Sequence, residues 1–271
     1  MGPQPTMSAA IELPVRAMSA LVMAAVAIFV TIVGGVLFAC LVAIGAVAAL
    51  REWHRLINGG RFANEALISA AAVAGAVFVS LFLEDSEASL LLLVAGAVAA
   101  FLWSAHRKQS PFWHALGPVY VGLAAIALVL LRAAPSGAYL ILGIFIAVWS
   151  ADTGALLGGR IIGGPKLVPR VSPNKTWAGF LAGTLAAGLA EAAFFAILGR
   201  SAAFGLILGL LIALIGHAGD LFESWVKRCF RAKDSGGLIP GHGGILDRID
   251  SLLFVAPACA ILLVFTSLNP L

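Results

Sequence analysis

From Ala17 to Leu50 the chain carries no charged side chain at all. As a single helix that run would be about 50 Å long at the usual rise per residue, well beyond the hydrocarbon core of a bilayer. One membrane crossing cannot absorb it, and a soluble fold of this size has no core large enough to hide it. The pair Gly34-Gly35 supplies the break, because glycine weakens a helix interior and accepts turn conformations that other residues resist. The run therefore reads as two membrane helices folded back on each other. Further apolar stretches follow at Ala66–Leu83, Ala88–Ala105, Ala115–Leu131, Ala133–Ala151, Trp177–Leu198, Ser201–Gly216 and Ser251–Leu268. Together they predict an all-α, polytopic membrane protein of about nine crossings.

Composition agrees. Of 271 residues, 61% are apolar and 11% charged, against about 45–50% and about 25% in soluble domains. Too few polar groups exist to cover a water-exposed surface, so the excess must face lipid. The same balance excludes a disordered chain, a coiled coil and a disulfide-stapled secreted domain. The three cysteines, Cys40, Cys229 and Cys259, are too scattered for a disulfide framework or a close metal-ligand cluster. They read as small core residues. No small-residue cleavage site leads into a polar mature region, so a cleaved signal peptide is not expected.

Charge placement sets the orientation, since short cytoplasmic loops collect Lys and Arg. With the N-terminus inside, every one of the 17 basic residues except Arg132 and Arg200 falls on the cytoplasmic side. The outer loop Glu84-Asp85-Ser86-Glu87 is acidic, as that arrangement requires. We expect one integral membrane domain over 1–271, with an N-terminal helical half (1–132) and a catalytic half (133–271). Trp53, His54, Trp113 and His114 read as interfacial anchors at cytoplasmic helix ends.

Two cytoplasmic segments are longer and more polar than helix connections need: about Gly158 to Thr176, and about His217 to Asp250. Long loops in compact proteins are more often functional than idle. The first follows Asp152-Thr153-Gly154 and contains two Gly-Gly pairs and Ser172-Pro173-Asn174-Lys175-Thr176-Trp177. Glycines let backbone N–H groups approach an anion, and Asn174 and Lys175 precede a helix N-terminus, which attracts negative charge. A glycine-rich turn capped by Ser172 or Thr176, with lysines serving as orientation anchors, accounts for the same residues.

The second segment is more informative. Asp220, Glu223, Ser224 and Lys227 recur at i, i+3, i+4 and i+7, which puts two carboxylates, a hydroxyl and an ammonium on one helical face. Such a stripe at the membrane surface is either a solvated helix end or the wall of a polar site. Beyond it come Arg228, Lys233-Asp234-Ser235-Gly236-Gly237, Pro240-Gly241-His242-Gly243-Gly244, and Asp247-Arg248-Ile249-Asp250 opening the last apolar stretch. Helix-dipole placement explains the aspartates but not the arginine between them or the glycines before them. Carboxylates for a hard metal ion, cations for phosphoryl oxygens and glycine turns for backbone cradling are what Mg²⁺-dependent chemistry on phosphates needs.

The ungapped run from Ser224 to Asp250 resembles the signature of phosphatidate cytidylyltransferases, also called CDP-diacylglycerol synthases. Ser172–Trp177 and Trp149–Gly154 resemble two further segments of that family, whereas the N-terminal half is similar only as apolar helices. The resemblance implies transfer of CMP from CTP to phosphatidate, yielding CDP-diacylglycerol and pyrophosphate with Mg²⁺ as cofactor. It implies that Asp220 and Asp247 hold the metal, with Asp234 and Asp250 as supporting or additional ligands. Lys227, Arg228, Lys233 and Arg248 would hold phosphates, with Asn174 and Lys175 reaching in from the other loop. Asp152, Ser224, Gly243 and Gly244 would complete the substrate site. His242 would either meet a phosphate or move a proton, or serve as a structural histidine in a glycine turn.

A transporter of an anionic or phosphorylated solute is the competing class, against which stand the loop position of the charges and the absence of an evident inverted repeat. A related transferase using another lipid phosphate is the nearer alternative. No nucleic-acid partner is expected; the partners are the two substrates, the bilayer and, through Glu191, another helix or a second copy in a homodimer. The expected location is a bacterial plasma membrane, with the N-terminus and the site facing the cytoplasm.

Overall fold

The structure is a computed structural model that describes residues 7–61, 64–238 and 243–266. Among them lie α1 (Met7–Val33), α2 (Gly35–Ile57), α3 (Asn64–Phe82), α4 (Ser86–His106), α5 (Pro111–Ala133) and α6 (Gly137–Ile161). A short ribbon of β1 (Lys166–Val168) and β2 (Ser172–Thr176) follows, then α7 (Trp177–Ile197), α8 (Ala202–Cys229) and α9 (Leu246–Thr266). Seven of these helices, α2 to α8, are long and apolar enough to cross a membrane, and α1 carries a shorter apolar stretch, Met18–Val33. The expected nine crossings are thus approximate, while the helical membrane architecture holds. Outward-facing residues such as Leu21, Leu91 and Ile197 are largely exposed, as a lipid-facing surface requires.

The break between α1 and α2 falls where the paired glycines place it. Gly34 and Gly35 have φ of 73° and 54°, in the left-handed region. Arg132, at the end of α5, donates from Nε to Thr31 O at 2.6 Å and from an Nη to Ile32 O at 3.1 Å. These carbonyls end α1 and lack helical partners, so the guanidinium closes the first hairpin. A Cβ on Gly34 would lie 2.2 Å from that guanidinium.

Two apolar cores share helices from both halves of the chain. One gathers Leu50 and Trp53 of α2, Val73 of α3, Leu93 of α4 and Val121 of α5 with Val226 of α8 and Leu246 of α9. The other joins Phe38 of α2 and Leu131 of α5 to Ile141, Ala187, Ile212 and Val255 of α6 to α9. Helices α6, α7 and α8 approach especially closely through small residues, the usual route to tight packing where no hydrophobic gain separates protein from lipid. A Cβ on Gly183 would meet Ala151 O at 2.5 Å, and one on Gly209 would meet Ala187 O at 2.5 Å.

Two expectations need correction, and one element goes beyond the all-α expectation: in the loop after α6, β1 and β2 pair antiparallel, Lys166 with Thr176 and Val168 with Ser172. Trp53, His54 and His114 are not interfacial anchors but fully buried. His54 Nδ1 lies 2.8 Å from His114 Nδ1, and its Nε2 lies 3.0 Å from Ser69 Oγ, so both ring nitrogens of His54 have partners inside the bundle. Cys40 and Cys229 are exposed rather than core residues. Cys40 is one of the apolar side chains that a membrane protein turns outward.

Candidate active site

The charged residues collect at the end of the bundle where α6 meets the ribbon and α8 meets α9. The ribbon is fixed at both ends: Trp177 N donates to Pro165 O at 3.1 Å, and Thr176 Oγ1 accepts from Gly179 N–H at 3.1 Å, capping α7. That places Lys175, on β2, beside α8, where its ammonium pairs with Asp220. Gly219 brings α9 against α8, since a Cβ there would lie 2.7 Å from Asp250 O. Asp220 therefore faces Asp250, and both lie within electrostatic reach of Asp152 on α6. Lys175 and Arg248 act on Asp152 as countercharges. One subsite thus holds three carboxylates and two cations drawn from four elements.

A second subsite lies about two turns further along α8, on the same face. Lys227 Nζ contacts Glu223 Oε2 at 2.6 Å and Asp247 Oδ1 at 2.7 Å. Asp247 also accepts from Ser235 N–H and Gly244 N–H, each at 3.1 Å, and from Ser235 Oγ at 2.9 Å. A carboxylate has about four lone-pair directions, so these donors leave Asp247 little spare capacity. Its role here is to hold the glycine turn between α8 and α9.

Beneath that turn lies a residue that pattern reading did not find. Glu52, from α2, is fully buried; its Oε2 accepts from Leu246 N–H at 2.9 Å and lies 3.2 Å from Ser235 Oγ. A Cβ on Gly236 would fall 2.4 Å from Glu52 Oε1, and one on Gly244 would fall 2.5 Å from Oε2. Those glycines are small because a carboxylate occupies the space. No signature surrounds Glu52 in the sequence; the only available signal was an acid within an apolar helix. His217, one turn before Asp220, was likewise not singled out, and its ring packs 4.9 Å from that of Phe180.

The stripe Asp220, Glu223, Ser224 and Lys227 lies on one face of α8, as its spacing predicts, with Glu223 and Ser224 turned into the protein. Phe222 and Trp225 pack against Tyr120 and Trp113 of α5. Arg228 spans to the ribbon, donating to Val171 O at 3.2 Å and to Ala232 O at 2.9 Å. Lys233, Asp234 and Asn174 are exposed at the rim, Gly243 adopts φ 83°, and His242 lies outside the described residues. Asp220 and Asp247, expected to share a metal, fall in the two different subsites, and no contact between them is seen among the described residues. Nor do three or more Asp, Glu, His or Cys converge there into a closed metal-ligand group. The open donor set nonetheless fits Mg²⁺, which is usually held by one or two carboxylates plus substrate phosphates rather than by a protein cage.

A cavity of about 810 Å³ leads from this charged end along the bundle. Asp152, Thr153, Asp247, Arg248 and Asp250 line its polar mouth, and α1, α2, α5 and α6 give it apolar walls that include Met23, Leu41 and Phe145.

Scaffold and cavity together define the class, a multi-pass membrane protein whose charged end opens onto an apolar chamber. The chain belongs to the cytidylyltransferase family, whose model matches residues 14–266. It is 39% identical over 248 residues to a phosphatidate cytidylyltransferase of Brucella suis biovar 1 (strain 1330), covering 90% of this chain and 91% of the relative. A phosphatidate cytidylyltransferase of Rickettsia typhi (strain ATCC VR-144 / Wilmington) is 34% identical over 202 residues, covering 68% of this chain and 87% of the relative.

Proposed function

We propose that this chain is a phosphatidate cytidylyltransferase that works at the cytoplasmic face of a bacterial plasma membrane. The observation that carries the reading is the amphipathic cavity: apolar walls suited to acyl chains lead to a mouth where Arg248 stands among carboxylates, which a divalent cation would join in holding a phosphate. The relatives' shared activity points the same way.

A phosphate oxygen of phosphatidate attacks the α-phosphorus of CTP. A new P–O bond forms, the bond from that phosphorus to the bridging oxygen breaks, and its electron pair leaves with pyrophosphate. The attacking oxygen is already ionised near neutral pH, so the work is positioning and charge compensation. Lys175 and Arg248, drawn toward the carboxylates of the first subsite, offer their charge to phosphoryl oxygens once two anionic substrates enter. Lys227 pairs with Asp247, which accepts from Ser235 and Gly244 and so ties together the two sides of the connection between α8 and α9. Asn174, Arg228, Lys233, Asp234 and Ser224 edge the same end and would contact the nucleotide or the head group.

Mg²⁺ would supply a further positive centre for the triphosphate oxygens. Asp220 is the carboxylate best placed for it, with Asp250 beside it, and Asp247 would join only by giving up donors it now accepts from. The test is incorporation of labelled CTP into chloroform-soluble lipid by purified protein with phosphatidate and Mg²⁺, beside Asp220→Asn and Asp247→Asn. Labelled CDP-diacylglycerol from the wild type, lost in Asp220→Asn, is the expected result. Folded protein that turns over no lipid phosphate would overturn the reading.

A further inference from the structure

Glu191 is the ionisable group that the proposed reaction leaves unused. It is fully buried on α7, and neither carboxylate oxygen has a hydrogen-bond partner among the described residues. The interhelical pair expected from the sequence is not made among the described residues. Glu191 lies about 21 Å along α7 from Trp177, at the far end of the bundle from the charged site. Burying a polar group with no partner costs several kcal/mol in an apolar medium, so an orphan carboxyl in a folded chain calls for an explanation.

The carboxyl lines a cavity of about 170 Å³ whose other walls include Ile144, Phe194, Leu208 and Cys259. Gly143 lets α6 close over the carboxyl, since a Cβ there would stand 3.2 Å from Glu191 Oε1. The rim opens toward lipid: Tyr139 and Ile207, which also line the cavity, are 50% and 57% exposed.

These features select the occupant. A metal ion would find one carboxylate and one thiol, that of Cys259, and among the described residues no third ligand to complete a site. An anion would meet a carboxylate and no basic residue in the lining. A hydrocarbon chain would fill the walls and leave Glu191 unpaired. A hydroxyl on an apolar chain satisfies both the walls and the carboxyl. Glu191 is about 9 Å inside the end of α7 at Ile197, a depth at which no head group or bulk water competes for the hydroxyl. We propose that this cavity binds a neutral lipid alcohol, its hydroxyl hydrogen-bonded to Glu191 and its chain lying between α6, α8 and α9.

Dicyclohexylcarbodiimide, an apolar reagent that adds covalently to carboxyl groups reached from the membrane, reads the site directly. In the intact protein in detergent, peptide mass spectrometry should find the adduct on Glu191 and find none there in Glu191→Gln. 1-Dodecanol should slow that labelling about tenfold more than dodecane at equal concentration, the worth of one hydrogen bond made away from water. Equal slowing by the two would mean that only apolar filling occurs. No slowing by dodecanol would leave water as the partner, and no adduct on Glu191 would mean that the cavity is closed to lipid. Any of the three overturns the proposal.

Discussion

At the residue scale the charged end works through pairs, and each pair predicts its own failure. Asp220 is compensated by Lys175 and packed toward Asp250, so Asp220→Asn removes the charge that organises the first subsite. CTP incorporation should fall by about 10² or more, as when a positioned electrostatic group is removed from other active sites, with the protein still eluting as a folded species on gel filtration. Glu52 fails differently. Glu52→Ala takes the acceptor from Leu246 N–H, at a cost of about 1–3 kcal/mol for the unsatisfied group. We expect a lower melting temperature together with a reduced kcat, and partial recovery of both in Glu52→Gln, which keeps an acceptor oxygen. Equal behaviour of the two variants in a thermal melt and a turnover assay would show that the hydrogen bonds are idle. The i, i+3, i+4, i+7 stripe was legible in the sequence because helical periodicity alone sets it. The sharing of those acids between two subsites was not, because Lys175, Asp250 and Glu52 arrive from other elements and no local pattern records where they land.

At the element scale, the contacts of α6, α7 and α8 decide where Asp152, Lys175 and Asp220 stand. Gly183 faces the carbonyl of Ala151, one residue from Asp152, with no room for a side chain. Gly183→Val should force α6 and α7 apart at a cost of about 1–3 kcal/mol, lowering both the thermal midpoint and the turnover. A substitution at Gly237, which has open space around it, should leave the midpoint nearly unchanged; differential scanning fluorimetry of both variants makes the comparison. The hinge at Gly34-Gly35 could be read from the sequence because no single crossing accommodates the run around it. The ribbon could not: Lys166–Thr176 lacks alternating apolar residues, and its pairing is imposed by the two helices it connects.

At the scale of the whole molecule the orientation is open to a direct experiment. Cys229 is exposed at the charged end of α8, whereas Cys40 and Cys259 lie within apolar helices. A membrane-impermeant maleimide should therefore label Cys229 in inside-out vesicles and not in right-side-out ones, with Cys229→Ser as the unlabelled control. Labelling from the opposite side would reverse the topology and put the charged end where CTP is not found.

The placement of Glu52 bears on what may be concluded from a motif. The recognisable stretch from Ser224 to Asp250 rests on a carboxylate contributed from the first quarter of the chain, in helices that no signature marks. A fragment starting at Ala133 would retain all of the matching letters and lose the floor beneath them. Truncated copies of such a gene can therefore look catalytic on paper while encoding a loop with nothing to stand on.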